Sequence, residues 1–190
     1  MVQHSLQLLF LSLFAGSLVS LFSVGSGEPV KRTVATVEAD IATIATQVES
    51  LDSTIDAIDA LGVLSLTSAL GVHSATLVLA TTVDSATNDV KAAGVANETD
   101  GNTILNSIQA IVPNIEDALT KMSSAKAVAA IAALPGFTAM ALSDLKTLND
   151  SATAFADALI AASPADLVST GMSIKTTVVS AIASTIAVYS

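Results

Sequence analysis

From Val34 to Ile58 the apolar residues Val34, Val37, Ile41, Ile44, Val48, Leu51, Ile55 and Ile58 recur at alternating steps of three and four. Sustained over more than three heptads, that spacing places one aliphatic seam along a helix. Glu38, Asp40, Glu49, Asp52, Asp56 and Asp59 all fall off the seam. A helix of this kind must bury its stripe against other helices, so the chain around it has to supply partners.

The rest of the chain supplies them in short order. A second helix is predicted from the N-cap Ser65 to Ala93, stopped by Gly94, with the stripe Leu66, Leu70, His73, Leu77, Ala80, Val83 and Val90. After a polar loop, 95–102, a third helix is predicted over 103–133. Its stripe is Ile104, Ile108, Ile111, Ile115, Leu119 and Met122, and Pro113 predicts a kink near Ala110 or a break into two helices. Beyond Met122 the period shifts to Val128 and Ile131. Leu134-Pro135-Gly136 is a turn, and a fourth helix follows over 137–161 with Ala141, Leu145, Leu148, Ala152, Phe155 and Leu159 inward. The fifth is predicted to start with Ser163 as N-cap, Pro164 at N1 and Asp166 at N3, and to run to Val188 through Leu167, Gly171, Ile174, Val178 and Ile182. No strand-period run is long enough for a sheet. The expectation is therefore an all-α chain, a five-helix up-and-down bundle with a kinked third helix and antiparallel neighbours.

Ahead of the bundle, Leu6 to Val24 forms an apolar run interrupted by Ser12, Ser17, Ser20 and Ser23 and followed by Gly25, Ser26 and Gly27. It reads as a cleavable secretory signal peptide over 1–27, a membrane anchor being the competing reading. Residues 28–32 end in Lys31-Arg32, which suggests a short pro-segment cut after the dibasic pair or an ordinary basic flank. The bundle domain is then 33–190, a length that fits one domain. Its tail is a striped helix rather than a polar spacer followed by a greasy run, so no lipid anchor is expected.

Composition removes several classes of function. There is no cysteine, which excludes disulfides, thiolate metal sites and thiol nucleophiles. The net charge is −10, and Lys91, Lys121, Lys126, Lys146 and Lys175 are scattered, so nucleic acid is not an expected partner. No G-x-S-x-G elbow, H-E-x-x-H pair or glycine-rich phosphate loop occurs, and no enzyme activity, cofactor or metal is expected. Glu49, Asp52, Asp56 and Asp59 read as a solvated edge, with a weak divalent-cation or partner site as the alternative. Past Thr33 the one histidine is His73, on the second stripe: either a hydrogen-bonded core-edge residue or a polar anchor for a ligand carboxylate. Asn97-Glu98-Thr99 and Asn149-Asp150-Ser151 are glycosylation sequons, the first in a loop and the second on a helix. Beyond Thr33 the aromatics are Phe137, Phe155 and Tyr189 among many alanines, a composition that permits either close helix packing or internal space.

Several features occur together in a familiar order: Asp40-Ile41-Ala42-Thr43-Ile44, Val48, Leu51-Asp52, His73, Pro113 between Ile-Val and x-Ile, the Leu-Pro-Gly-Phe turn, Ala158-Leu159-Ile160, Ser163-Pro164-Ala165-Asp166-Leu167 and the closing Ala187-Val188-Tyr189-Ser190. With the signal-like run, the pattern from Val34 to Ser190 resembles the fungal hydrophobic surface binding protein A family, which includes cell-wall galactomannoproteins. The resemblance implies a secreted, extracellular or cell-wall glycoprotein. Members adsorb to hydrophobic surfaces, some recruit a polyester-degrading esterase there, and related mannoproteins hold long-chain fatty acids within a five-helix bundle. Two functions follow as expectations: a carrier of a fatty acid or other apolar ligand, or a structural surface-active wall mannoprotein or esterase adaptor without a lipid cavity. For the carrier, stripe membership nominates Leu51, Ile55, Leu66, Leu70, Leu145, Phe155 and Ile174 as wall residues, with His73 as anchor.

Overall fold

The computed structural model describes residues 33–61 and 65–190, so the expected signal peptide and pro-segment lie outside the described residues. Six α-helices follow in order: α1 Val34–Leu61, α2 Leu66–Ala93, α3 Glu98–Met122, α4 Ala125–Ala132, α5 Phe137–Ala162 and α6 Val168–Val188, with a 3-10 turn Ala165–Leu167 before the last. No strand occurs among the described residues.

The heptad seam does what its spacing requires. Val37, Ile41, Ile44, Val48, Leu51 and Ile55 are all buried and form one side of the main core. Helix ends follow local chemistry. The Ser65 side chain accepts from the Ser68 amide, satisfying an orphan donor at the start of α2. Gly94 and Gly136 adopt φ of 80° and 83°, a region that favours glycine, and so end α2 and open α5.

Three boundaries depart from the sequence reading. Helix α3 begins at Glu98 rather than near Thr103, because Asn97 caps it by accepting from the Asp100 amide, and Glu98 and Asp100 sit in its first turn. Pro113 does not break this helix, which runs unbroken through it; the proline is exposed. The interruption falls instead at Ser123-Ser124. There the Ser123 hydroxyl donates to the Leu119 carbonyl and the Ser124 side chain caps α4 through the Ala127 amide, which makes six helices of the expected five. Finally, Ser163 is not an N-cap. Its hydroxyl donates back to the Leu159 carbonyl at the end of α5, Pro164 is extended at ψ 152°, and a 3-10 turn delays α6 to Val168.

The long helices form a closed ring in the order α1, α2, α5, α6, α3 and back to α1. Gln47 to Thr82 ties α1 to α2, Lys175 to Asp157 ties α6 to α5, and Ser123 to Thr185 ties α3 to α6. Consecutive long helices alternate in direction, as expected of an up-and-down bundle, while the ring neighbours that are not consecutive, α2 and α5, α1 and α3, and α3 and α6, run parallel. Lys121 near the end of α3 meets Asp52 and Asp56 near the end of α1, and Tyr189 at the end of α6 donates to the Met122 carbonyl at the end of α3. Burial pushes the Tyr189 phenol up to about 12, so it remains a donor. Gly101 sits where α3 meets the turn before α6: a Cβ there would lie 2.9 Å from Leu167 Cδ1. Short α4 packs on α5, α1 and α3.

Candidate functional site

A ring of five striped helices directs five seams towards one axis, where small side chains leave space. The structure contains a cavity of about 180 Å³ there, lined from α1 by Ile44 and Leu51, from α2 by Leu79, from α3 by Ile111, from α5 by Leu148 and from α6 by Val178, among others. Helix α4 contributes Ala127 and Ile131, and Met140 lies on the α5 side of the same region. The lining is apolar apart from His73, Thr76, Asp144 and Lys175.

Of the nominated wall residues, Leu51, Ile55, Leu145, Phe155 and Ile174 line this cavity, and so does His73. Leu66 and Leu70 do not: they are exposed, at 57% and 48%, and belong to the outer surface of α2. The cause is a rotated inner face. The residues of α2 that meet the cavity are Ala69, Val72, His73, Thr76, Leu79 and Val83, so the small and polar residues are inside and the bulky Leu66, Leu70 and Leu77 are outside. A stripe drawn through the largest aliphatics therefore follows the wrong side of the first half of α2.

The His73 partner escaped the sequence reading. His73 Nδ1 lies 2.9 and 2.8 Å from the two Asp144 carboxylate oxygens across the α2/α5 seam. Burial raises the Asp144 carboxyl above the usual range, while the His73 hydrogen bond opposes that rise. The signal was present: Asp144 lies three residues after Ala141 and four before Leu148, inside the α5 stripe, as His73 lies inside that of α2. Lys175 was missed for the same reason, being flanked by Ile174, Val178 and Gly171 on the α6 stripe. Its ammonium meets Asp157 of α5.

The polar groups are few and engaged. The one hydroxyl on the lining among the described residues, Thr76 Oγ1, donates to the Val72 carbonyl. Among the described residues no group of three or more His, Asp and Glu is placed to hold a metal ion. The acidic edge of α1 is occupied by a cation from the chain itself: Lys121 reaches Asp52, Asp56 and Asp117 at 2.9, 2.7 and 2.6 Å, and these contacts raise its pKa. Glu49 remains exposed. Asn97 is exposed at the start of α3, whereas Asn149 is half-buried on α5 with its Oδ1 buried.

An all-helical ring around an apolar, sparsely polar cavity defines a helical-bundle protein built for hydrophobic ligands. The particular family is shown by sequence: residues 34–161 match the model of hydrophobic surface binding protein A, and the chain belongs to that family. No curated protein sequence matches the chain. Among solved structures it is similar to AfMP4p in complex with palmitic acid, with TM-score 0.73 and 26% identity over 83% of this chain and 99% of that one. Ligand-binding domains 1 and 2 of the Penicillium marneffei MP1 protein, both in complex with arachidonic acids, share the fold at TM-score 0.73. Their identities are 11% and 12%, over 83% and 85% of this chain and 99% of each of theirs.

Proposed function

We propose that this protein is a secreted carrier of long-chain fatty acids that holds the acyl chain inside the helical ring. The observation that carries the reading is the lining, aliphatic side chains from all five long helices around one cavity. The complex of AfMP4p with palmitic acid supports it. The volume of about 180 Å³ exceeds the ~150 Å³ void that stays dry and takes up benzene, and is below the roughly 300–1,000 Å³ of clefts for larger ligands. A long chain therefore requires the lining to give, and Met122 and Met140, unbranched and adaptable, are placed to do so. Each methylene taken from water contributes about 0.8 kcal/mol before ordering costs. Secretion is supported by the apolar run Leu6 to Val24, and a cell-wall location by the family.

A second reading has its own observation. Leu66, Leu70, Leu77 and Val78 are exposed on α2, a stripe suited to lying on wax or polymer. Both activities are compatible because the outer stripe and the cavity lining use different residues.

Displacement of a fluorescent fatty acid by oleate tests the carrier. Ala69→Trp and Ala152→Phe, at two lining positions, should each weaken displacement, and Leu70→Trp on the outer surface should not. Replacing Leu66, Leu70 and Leu77 by Ser should reduce adsorption to hydrophobic beads while oleate binding persists. Wild-type protein that coats beads but binds no soluble fatty acid would leave the surface reading alone standing.

A further inference from the structure

A fatty acid brings a carboxylate that must be placed as well as an apolar chain. Three ionisable side chains line the cavity among the described residues: His73, Asp144 and Lys175. His73 is already engaged by both oxygens of Asp144, so a ligand carboxylate approaching it meets a second carboxylate at close range. Lys175 differs in its partner. Its side chain lines the cavity, and its ammonium is held by Asp157, which is 58% exposed where Asp144 is only 10% exposed. A rim ion pair of this kind is weak and readily exchanged. The aliphatic stem can stay with the apolar lining while the charged head faces water, which suits the boundary between chain and head group.

The two polar sites are also well separated. Asp144 and Asp157 lie 13 residues apart on α5, which is about 20 Å along the helix. The His73–Asp144 pair is near the α2 and α5 N-termini, and the Lys175–Asp157 pair is towards the opposite end. Gly171, one turn before Lys175, brings α6 close to Ile160 of α5, where a Cβ would meet Ile160 Cγ1 at 3.1 Å, so the backbone beneath Lys175 is held.

We infer that Lys175 is the carboxylate anchor of the bound fatty acid, released from Asp157 as the ligand seats, and that the acyl chain runs from there towards the end packed by α4. His73 with Asp144 is then a wall pair that disfavours the reversed orientation. This rests on the carrier reading and sets the head group and direction within it.

The test compares submicellar oleate with oleyl alcohol, which has the same chain and no charge, as competitors for a fluorescent fatty alcohol probe at neutral pH. Lys175→Met should weaken oleate binding about tenfold and leave oleyl alcohol unchanged. Lys175→Arg should restore oleate, Asp157→Asn should strengthen it, and His73→Gln should change oleate and alcohol alike. Equal loss of both ligands in Lys175→Met would reduce Lys175 to a wall residue and overturn the proposal, as would unchanged oleate binding. Failure of wild-type protein to bind either ligand would instead defeat the carrier reading.

Discussion

The Asp144 carboxyl carries a sign that can be measured. Its pKa is raised in the folded chain, mainly by burial, so the folded state binds its proton more readily than the unfolded state does. Stability contributed through this group is therefore greatest below the ordinary carboxylate value of about 3.9 and falls as pH rises through the higher folded value. Asp144→Asn removes that fall. Urea unfolding at a series of pH values above about 4 should show stability rising more steeply with pH in the variant than in wild type; parallel curves would mean that Asp144 binds its proton alike in the folded and unfolded chain. The cost is tolerated because Asp144 and His73 satisfy one another on a wall that otherwise offers almost no polar partner. Two polar groups facing each other across a seam are cheaper than either alone.

At the level of elements, α1 is the helix most fully determined by its own sequence, and single substitutions should reveal it. Ile44→Asp places an unpaired charge in the buried seam and should lower stability by about 3 kcal/mol or more, whereas Glu49→Gln on the exposed side should change it by less than about 0.5 kcal/mol. Equal midpoints in denaturant would contradict the assigned face. The seams of α1, α3, α5 and α6 were legible because their apolar residues recur at regular helical spacing. That of α2 was not, because its inner face in the first half uses Ala69, His73 and Thr76 while Leu66, Leu70 and Leu77 face out. Hydrophobic periodicity locates a stripe, and it cannot tell a buried stripe from one kept for a surface. The helix break at Ser123-Ser124 was equally hidden. Two serine hydroxyls competing for backbone groups ended α3 where the proline ten residues earlier did not. Ring order was beyond periodicity too, since parallel α2 and α5 pack closely without being consecutive.

At the scale of the whole molecule, the family match and the folded ring do not share a boundary. The match ends at residue 161, within α5, yet α6 occupies the ring position between α5 and α3. Ile182 is almost fully buried against Leu119 and Leu145, and Tyr189 locks the α6 end to α3. A chain from Thr33 to Ser163 would keep four of the five seams and open the α3 and α5 seams to water along one side. Closing that gap requires α3 and α5 to meet directly, and the small residues Ala141 and Ala152 on the α5 stripe leave too little bulk to fill it. The truncated chain should therefore retain much of its helical circular dichroism, bind a dye for exposed apolar surface, lose cooperative unfolding and bind no fatty acid. A synthetic peptide spanning Ser163 to Ser190, added in trans, should restore cooperativity and binding together, because the cavity and the core are made by the same residues. A fragment that unfolds cooperatively and still displaces the probe with oleate would show that the matched region alone carries the site, and that the sixth helix, with Lys175, is dispensable.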